Sequence, residues 1–199
     1  GGYASLNLNS DNAGISFGIL QWSQRTGALG KLLAEFYKHS SDKFIGIFGS
    51  RSSLKLLESA AAGSLDPVGG VVLWKDPWVS RFRLAGKDVE YQAIQDRMAL
   101  NGEYMKAAMK AATAIGIPSQ RCLALMFDTA VQQGPGKATS VASAVGAAYG
   151  NEDPMRRMRR FVGSITAKFR RLADPGKHKN PNLQWKQVGQ EWHVFAGKV

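Results

Sequence analysis

The sequence predicts a mainly α protein with a small β element near its N-terminus. Three observations predict it. Apolar residues recur at helical spacing through most of the chain from Gly18 onward; residues 1 to 17 are instead rich in Gly, Asn and Ser, with apolar positions alternating; and Gly/Pro pairs cut the helical stretches into pieces. With 199 residues, 44% of them hydrophobic, the chain can bury a full core as one domain spanning 1–199, or one domain with two lobes.

The elements follow in order. Tyr3, Leu6, Leu8, Ile15 and Phe17 suggest short extended segments joined by turns, a hairpin-like region. From Gly18, the residues Ile19, Leu20, Trp22, Leu29, Leu32, Leu33, Phe36 and Tyr37 read as helix in two pieces, with Gly27 and Gly30 as interruptions. Residues 43 to 62 give two more short helices. Residues 63 to 86 read as a loop punctuated by Pro67, Gly69-Gly70, Pro77 and Gly86, with Trp74 and Trp78 on it. A long helical pattern over 87 to 115 is divisible at Asn101-Gly102 and ends at Gly116 and Pro118. Residues 119 to 133 are apolar on nearly every side, the mark of a central buried helix, and Gly134-Pro135-Gly136 stops it. Residues 137 to 149 are Ala- and Ser-rich, as in a closely packed helix. Residues 153 to 173 are amphipathic, with the stripe Met155, Met158, Phe161, Val162, Ile165, Phe169 and Leu172, and the tail from Pro175 reads as loop followed by a short aromatic segment, Trp185 to Phe195.

Composition excludes several function classes. Cys122 is the only cysteine, so an internal disulfide and a cysteine-built metal site are both ruled out, and the residue reads as a small buried apolar group. His39, His178 and His193 lie far apart without metal-ligand spacing; no metal or cofactor is expected. No apolar run reaches the roughly 18 residues of a transmembrane helix, so stable membrane insertion is not expected. Gly1-Gly2-Tyr3 resembles neither a signal peptide nor an initiator, and the segment is expected to be cut from a longer chain. The formal charge is +11, and it is uneven: residues 100 to 199 carry 15 basic and 6 acidic side chains, the first 99 carry 11 and 9. An acidic partner is expected on the C-terminal side.

Asp11 is the leading candidate for chemistry. It lies in Asn9-Ser10-Asp11-Asn12-Ala13-Gly14, where a carboxylate ordinarily bonds its own backbone and forms a turn. The segment that follows, Ala13 to Phe17 and then Gly18-Ile19-Leu20-Gln21-Trp22, resembles the Gly-Leu-Met-Gln signature of the lysozyme superfamily, which includes lytic transglycosylases and goose-type lysozymes. Asp11 to Gly18 is also similar to the stretch around the second carboxylate of chitosanases. A second run, Leu125-Met126-Phe127-Asp128-Thr129-Ala130-Val131-Gln132-Gln133-Gly134-Pro135-Gly136-Lys137-Ala138, is similar to the Asp-x-Ala-Val-Asn-x-Gly-Pro-Gly-Arg-Ala run of phage-type muramidases.

The resemblance implies an α+β lysozyme-like fold of two lobes with a substrate cleft between them, and a glycosidase that cleaves β-1,4 linkages of peptidoglycan glycan strands. Chitosan is the alternative substrate. Such hydrolysis needs a protonated acid and usually a second carboxylate; an inverting pair stands about 6.5 to 9.5 Å apart with water between, whereas a lytic transglycosylase needs no second carboxylate. By resemblance Asp11 holds or activates that water, and the acid glutamate falls at or before Gly1. Glu35, Glu58, Glu90, Glu103 and Glu191 instead read as solvated or paired.

Ser16 and Gln21 are candidates to bind substrate or water, although Gln21 is equally suited to bond backbone. Tyr3, Trp74 and Trp78 offer platforms for sugar rings or, as large aromatics mostly do, packing anchors. Asp128, within an apolar helix, is expected to need a partner, with Gln132 on the same face; the alternative is contact with sugar. Arg156, Arg157, Arg159, Arg160, Lys168, Arg170 and Arg171 form either a solvated face or one attracted to the anionic cell wall, to phosphates or to lipid headgroups. No helix-turn-helix, zinc-finger or RNA-binding signature supports nucleic-acid binding. A monomer acting on the wall in the periplasm or outside the producing cell is expected, delivered by phage lysis or a secretion system, with an immunity or inhibitor protein as a further partner. A catalytically inactive wall-binding module of the same fold is the competing reading.

Overall fold

The computed structural model describes residues 2–117, 119–172, 183–188 and 191–196, with side chains described as far as Ile165. It is mainly helical, with a small antiparallel sheet at the N-terminus. The chain divides into two compact units, Gly1–Lys106 and Ala107–Val199.

In the first unit β1 (Leu6–Leu8), β2 (Ile15–Phe17) and β3 (Trp22–Ser23) lie in the order β1-β2-β3, with Leu6 opposite Phe17, Leu8 opposite Ile15 and Phe17 opposite Trp22. The expected N-terminal β element is therefore present, and it carries one more strand than a hairpin. Helix α1 (Ala28–His39) follows, then α2 (Ser41–Phe48), α3 (Ser53–Ala61), α4 (Trp78–Lys87) and α5 (Val89–Asn101). Leu29, Leu32, Leu33 and Phe36 place one buried stripe on α1. Gly30 allows α1 to approach α3 closely, since a Cβ there would meet the backbone of Ala60 and Ala61. Ser40 caps α2 by accepting from the Lys43 N–H, and Asp88 caps α5 by accepting from Glu90 and Tyr91.

These helices close on an aromatic core that reaches the sheet. The Phe36 ring stacks on Tyr91 at 4.0 Å and meets Phe17 edge-on at 6.4 Å; Phe17 in turn contacts Phe82 at 5.3 Å, and Phe82 contacts Phe48 at the same distance. Ile15 and Phe17, both fully buried, thus pin β2 to the helical body.

The second unit contains the C-terminal part of α6 (Glu103–Ile115), then α7 (Gln120–Gln133), α8 (Pro135–Tyr149) and α9 (Pro154–Leu172), with α8 packed against both α7 and α9. Its described core consists mainly of small side chains, among them Ala108, Ala111, Cys122, Ala130, Ala138 and Ala142, with Met126 and Phe161 as larger fillers. The Arg157 guanidinium donates to the carbonyls of Ile115 and Gly116 and so satisfies the end of α6.

Three sequence expectations are corrected. Residues 18 to 27 are turn and strand rather than helix, because Gly18, Gln21 and Gly27 all take left-handed backbone (φ 83°, 53° and 72°), and α1 starts only at Ala28. The loop ends earlier than Gly86: α4 begins at Trp78. Helix α7 buries one face only, Cys122, Met126, Thr129 and Ala130, while Asp128 is exposed and needs no partner because water solvates it. Within the aromatic segment after Pro175, β4 (Leu183–Val188) pairs antiparallel with β5 (Glu191–Ala196), from Leu183 opposite Ala196 to Val188 opposite Glu191, and the loop expected at 175–182 lies outside the described residues.

Candidate functional site

Asp11 sits exposed on the turn that joins β1 to β2, and the turn is fixed at nearly every residue. The Asp11 carboxylate Oδ1 accepts the Ala13 N–H at 3.1 Å, a local bond of the kind expected of a turn-former. Asn9 Oδ1 accepts the Gly14 N–H at 2.8 Å, and Asn7 Oδ1 accepts both the N–H and the hydroxyl of Ser10. From beyond β3, Arg25 grips the same turn twice. Its backbone N–H donates to Ala13 O at 3.1 Å, and its guanidinium Nε and Nη2 donate to Asn12 O at 3.0 and 2.6 Å. Asn9 and Asn12 take left-handed backbone, φ 67° and 58°.

At the opposite end of the sheet a second network joins Tyr3, Gln21 and α5. The Tyr3 hydroxyl donates to the Asp96 carboxylate, 3.0 Å from each oxygen, and this hydrogen bond, with some burial and the charge of Asp96, raises the phenol's pKa above its ordinary value. Gln21 Nε2 donates to the carbonyls of Gly18 and Ser5 at 2.9 and 3.2 Å, so its amide serves the backbone. Gln95, fully buried, accepts the Ile19 N–H and donates to Tyr3 O, both at 3.1 Å. A Cβ at Gly18 would collide with the Gln95 amide, so that close approach needs glycine as well as the positive φ.

The structure therefore separates the predicted residues. Tyr3 and Gln21 belong together beyond the Leu6–Phe17 end of the sheet, and Asp11 lies beyond the Leu8–Ile15 end. Ser16 lies between them on β2, 5% exposed. Trp74 is half-buried against the core of the first unit. Trp78 is a packing anchor: it is 2% exposed and its indole N–H donates to the carbonyls of Val68 and Val71. Asp128 and Gln132 are exposed on α7 in the second unit. An open depression of about 550 Å³ on the first unit, lined in part by Lys31, Glu35, Arg97 and Asn101, contains none of the predicted residues.

Sequence reasoning missed Gln24, Arg25, Gln95 and Asp96. Gln24 is fully buried, accepts the Ile15 N–H at 3.1 Å and donates to Ser64 O at 2.5 Å, which ties the sheet to the loop after α3. A signal was available for the first pair, since Gln24 and Arg25 directly follow the motif; Gln95 and Asp96 look like any polar helical residues. Gln95→Leu is expected to leave the Ile19 N–H and the Tyr3 carbonyl without partners and to cost about 2 to 4 kcal/mol, read by urea denaturation. An unchanged midpoint would show that the amide bridge contributes nothing net.

Among the described residues, the carboxyls with a resolved shift are all lowered. Ser80 holds Asp76 down, and Lys43 with His39 holds Glu90 down. Burial opposes ionisation of Asp88, but Lys43 and the backbone N–H groups of Tyr91 and Glu90 outweigh it. Arg160 holds Glu152 down through a bidentate pair at 2.7 and 2.6 Å. Among the described residues no three His, Cys, Asp or Glu side chains gather as a metal site, and no helix is long and apolar enough to cross a membrane. No protein-family model and no curated protein matches the chain.

Proposed function

We propose that the protein is a glycoside hydrolase of lysozyme-like fold that cleaves β-1,4 linkages of peptidoglycan glycan strands, with Asp11 holding and activating the attacking water. One observation carries this reading. Among the described residues, the non-glycine residues with positive φ are Asn9, Asn12 and Gln21: two flank Asp11 and the third ends Gly18-Ile19-Leu20-Gln21. Left-handed backbone is ordinary for asparagine in a turn, whereas for a residue such as glutamine it costs on the order of 1 to 3 kcal/mol and gathers where a site must be held in one geometry. Here it coincides with the segment that resembles the lysozyme superfamily. The net charge of +11 supports an anionic wall polymer as the partner.

The reaction also needs a carboxylic acid kept protonated by its surroundings. Asp76, Asp88, Glu90 and Glu152 are all held below the ordinary carboxylate range, so the reading gives the acid's role to none of these four. The same observation favours a second reading, a module that binds glycan strands without cutting them.

The test is incubation of the full-length protein with purified peptidoglycan, followed by mass analysis of the soluble fragments. Reducing muropeptides would mean hydrolysis, and anhydro ends would mean a lytic transglycosylase in which Asp11 has no catalytic part. Protein that sediments with the wall and releases nothing would leave the binding module.

A further inference from the structure

We infer that Arg25 is the residue with which the proposed site recognises the carboxylates of an anionic glycan, as distinct from the sugar rings themselves; the inference rests on the reading of Asp11 as part of that site. Arg25 is exposed, yet its guanidinium is not free to wander. Nε and Nη2 both donate to Asn12 O, the carbonyl of the residue after Asp11, and the Arg25 backbone N–H holds Ala13 O from the same side. A surface arginine ordinarily has about 2 kcal/mol of rotamer entropy to lose when it engages a ligand; the two bonds to Asn12 O have already restricted this one.

Among the described residues no carboxylate pairs with this guanidinium. Four other guanidinium groups are engaged: Arg97 with Glu35, Arg160 with Glu152, Arg157 with the end of α6, and Arg81 with Phe48 O and the Trp78 ring. Arg25 forms no ion pair among the described residues, and its hydrogen bonds to a carbonyl leave Nη1 without a partner there. A planar cation held in place with donors to spare matches the geometry of a carboxylate. Peptidoglycan carries carboxylates along its strands. Chitin offers the same β-1,4 linkage without charge, and chitosan would present ammonium groups that the guanidinium repels.

The experiment is co-sedimentation of the full-length protein with insoluble peptidoglycan and, separately, with chitin, for the wild type, Arg25→Gln and Arg25→Lys, with release of soluble fragments recorded for the same proteins and for Asp11→Asn. Arg25→Gln is expected to weaken binding to peptidoglycan about tenfold, the size of one charge-assisted hydrogen bond, and to leave chitin binding unchanged. Arg25→Lys is expected to recover part of the loss, and added salt to remove the wild type's preference for peptidoglycan. Equal weakening on both polymers would reduce Arg25 to a brace for the turn, and no weakening on either would remove it from recognition; either result overturns the inference. Fragment release that persists in Asp11→Asn would instead overturn the reading of the catalytic site, so the two failures are distinguishable.

Discussion

Phe36→Ala is expected to destabilise the N-terminal unit by about 4 kcal/mol, within the range found when a buried phenylalanine is cut to alanine. The ring is fully buried and lies at the junction of the sheet and two helices: it stacks on Tyr91 of α5, 5° from parallel, and meets Phe17 of β2 edge-on. Its removal takes away the apolar transfer energy, two ring contacts and the filling of the space between them. Tyr91 adds to the cost. Its hydroxyl is buried with no hydrogen-bond partner among the described residues, and burial, with the charges of Asp88 and Glu90, already drives its pKa far above the ordinary phenol value. A cavity beside that ring loosens a residue that is already poorly solvated. Urea denaturation gives the total, and amide exchange in residues 2 to 106 locates it. Phe36→Leu, which keeps most of the volume, is expected to cost much less. A loss under about 1 kcal/mol for the alanine variant would mean that the site collapses around the gap.

That core was legible in the sequence because local rules govern most of it. The Leu29, Leu32, Leu33, Phe36 stripe is a helix signal that tertiary packing obeys, and Gly102 and Gly134 each stand alone between two helices, where the sequence places a break. The errors have physical causes. Ile19, Leu20 and Trp22 match a helical period over a window too short to distinguish from strand and turn, and the left-handed φ of Gln21 is visible only once its amide is seen bonded to Ser5 and Gly18. Trp78 follows a proline, a loop signal, yet the proline precedes the first turn of α4, where a missing N–H costs nothing. The alternation Trp192, Val194, Ala196 is a strand signal, and β5 follows it. At the candidate site the Asp11 turn could be recognised from Asn, Asp and Gly alone. Its supports could not, because Gln95 reaches Ile19 across 76 positions and Tyr3 across 92.

Asp11→Asn separates the two roles that the sequence left open for this carboxylate. The structural role needs only an acceptor: Oδ1 takes the Ala13 N–H, and an asparagine carbonyl can take it equally well, while the bonds from Asn7, Asn9 and Arg25 do not involve the Asp11 side chain. The fold is therefore expected to be unaffected, with stability changed by less than about 0.5 kcal/mol, as for ordinary surface substitutions. The chemical role needs a charge and a basic oxygen, which the amide lacks. If Asp11 activates water, the rate of peptidoglycan cleavage is expected to fall by about 10²- to 10⁴-fold, the usual contribution of a positioned general base. Asp11→Ala would lose the turn bond as well and could not tell these effects apart. Cleavage and thermal denaturation of the same asparagine variant decide the matter: full stability with lost cleavage assigns Asp11 to the chemistry, and full stability with full cleavage leaves it as the turn-former that its bond to Ala13 already makes it.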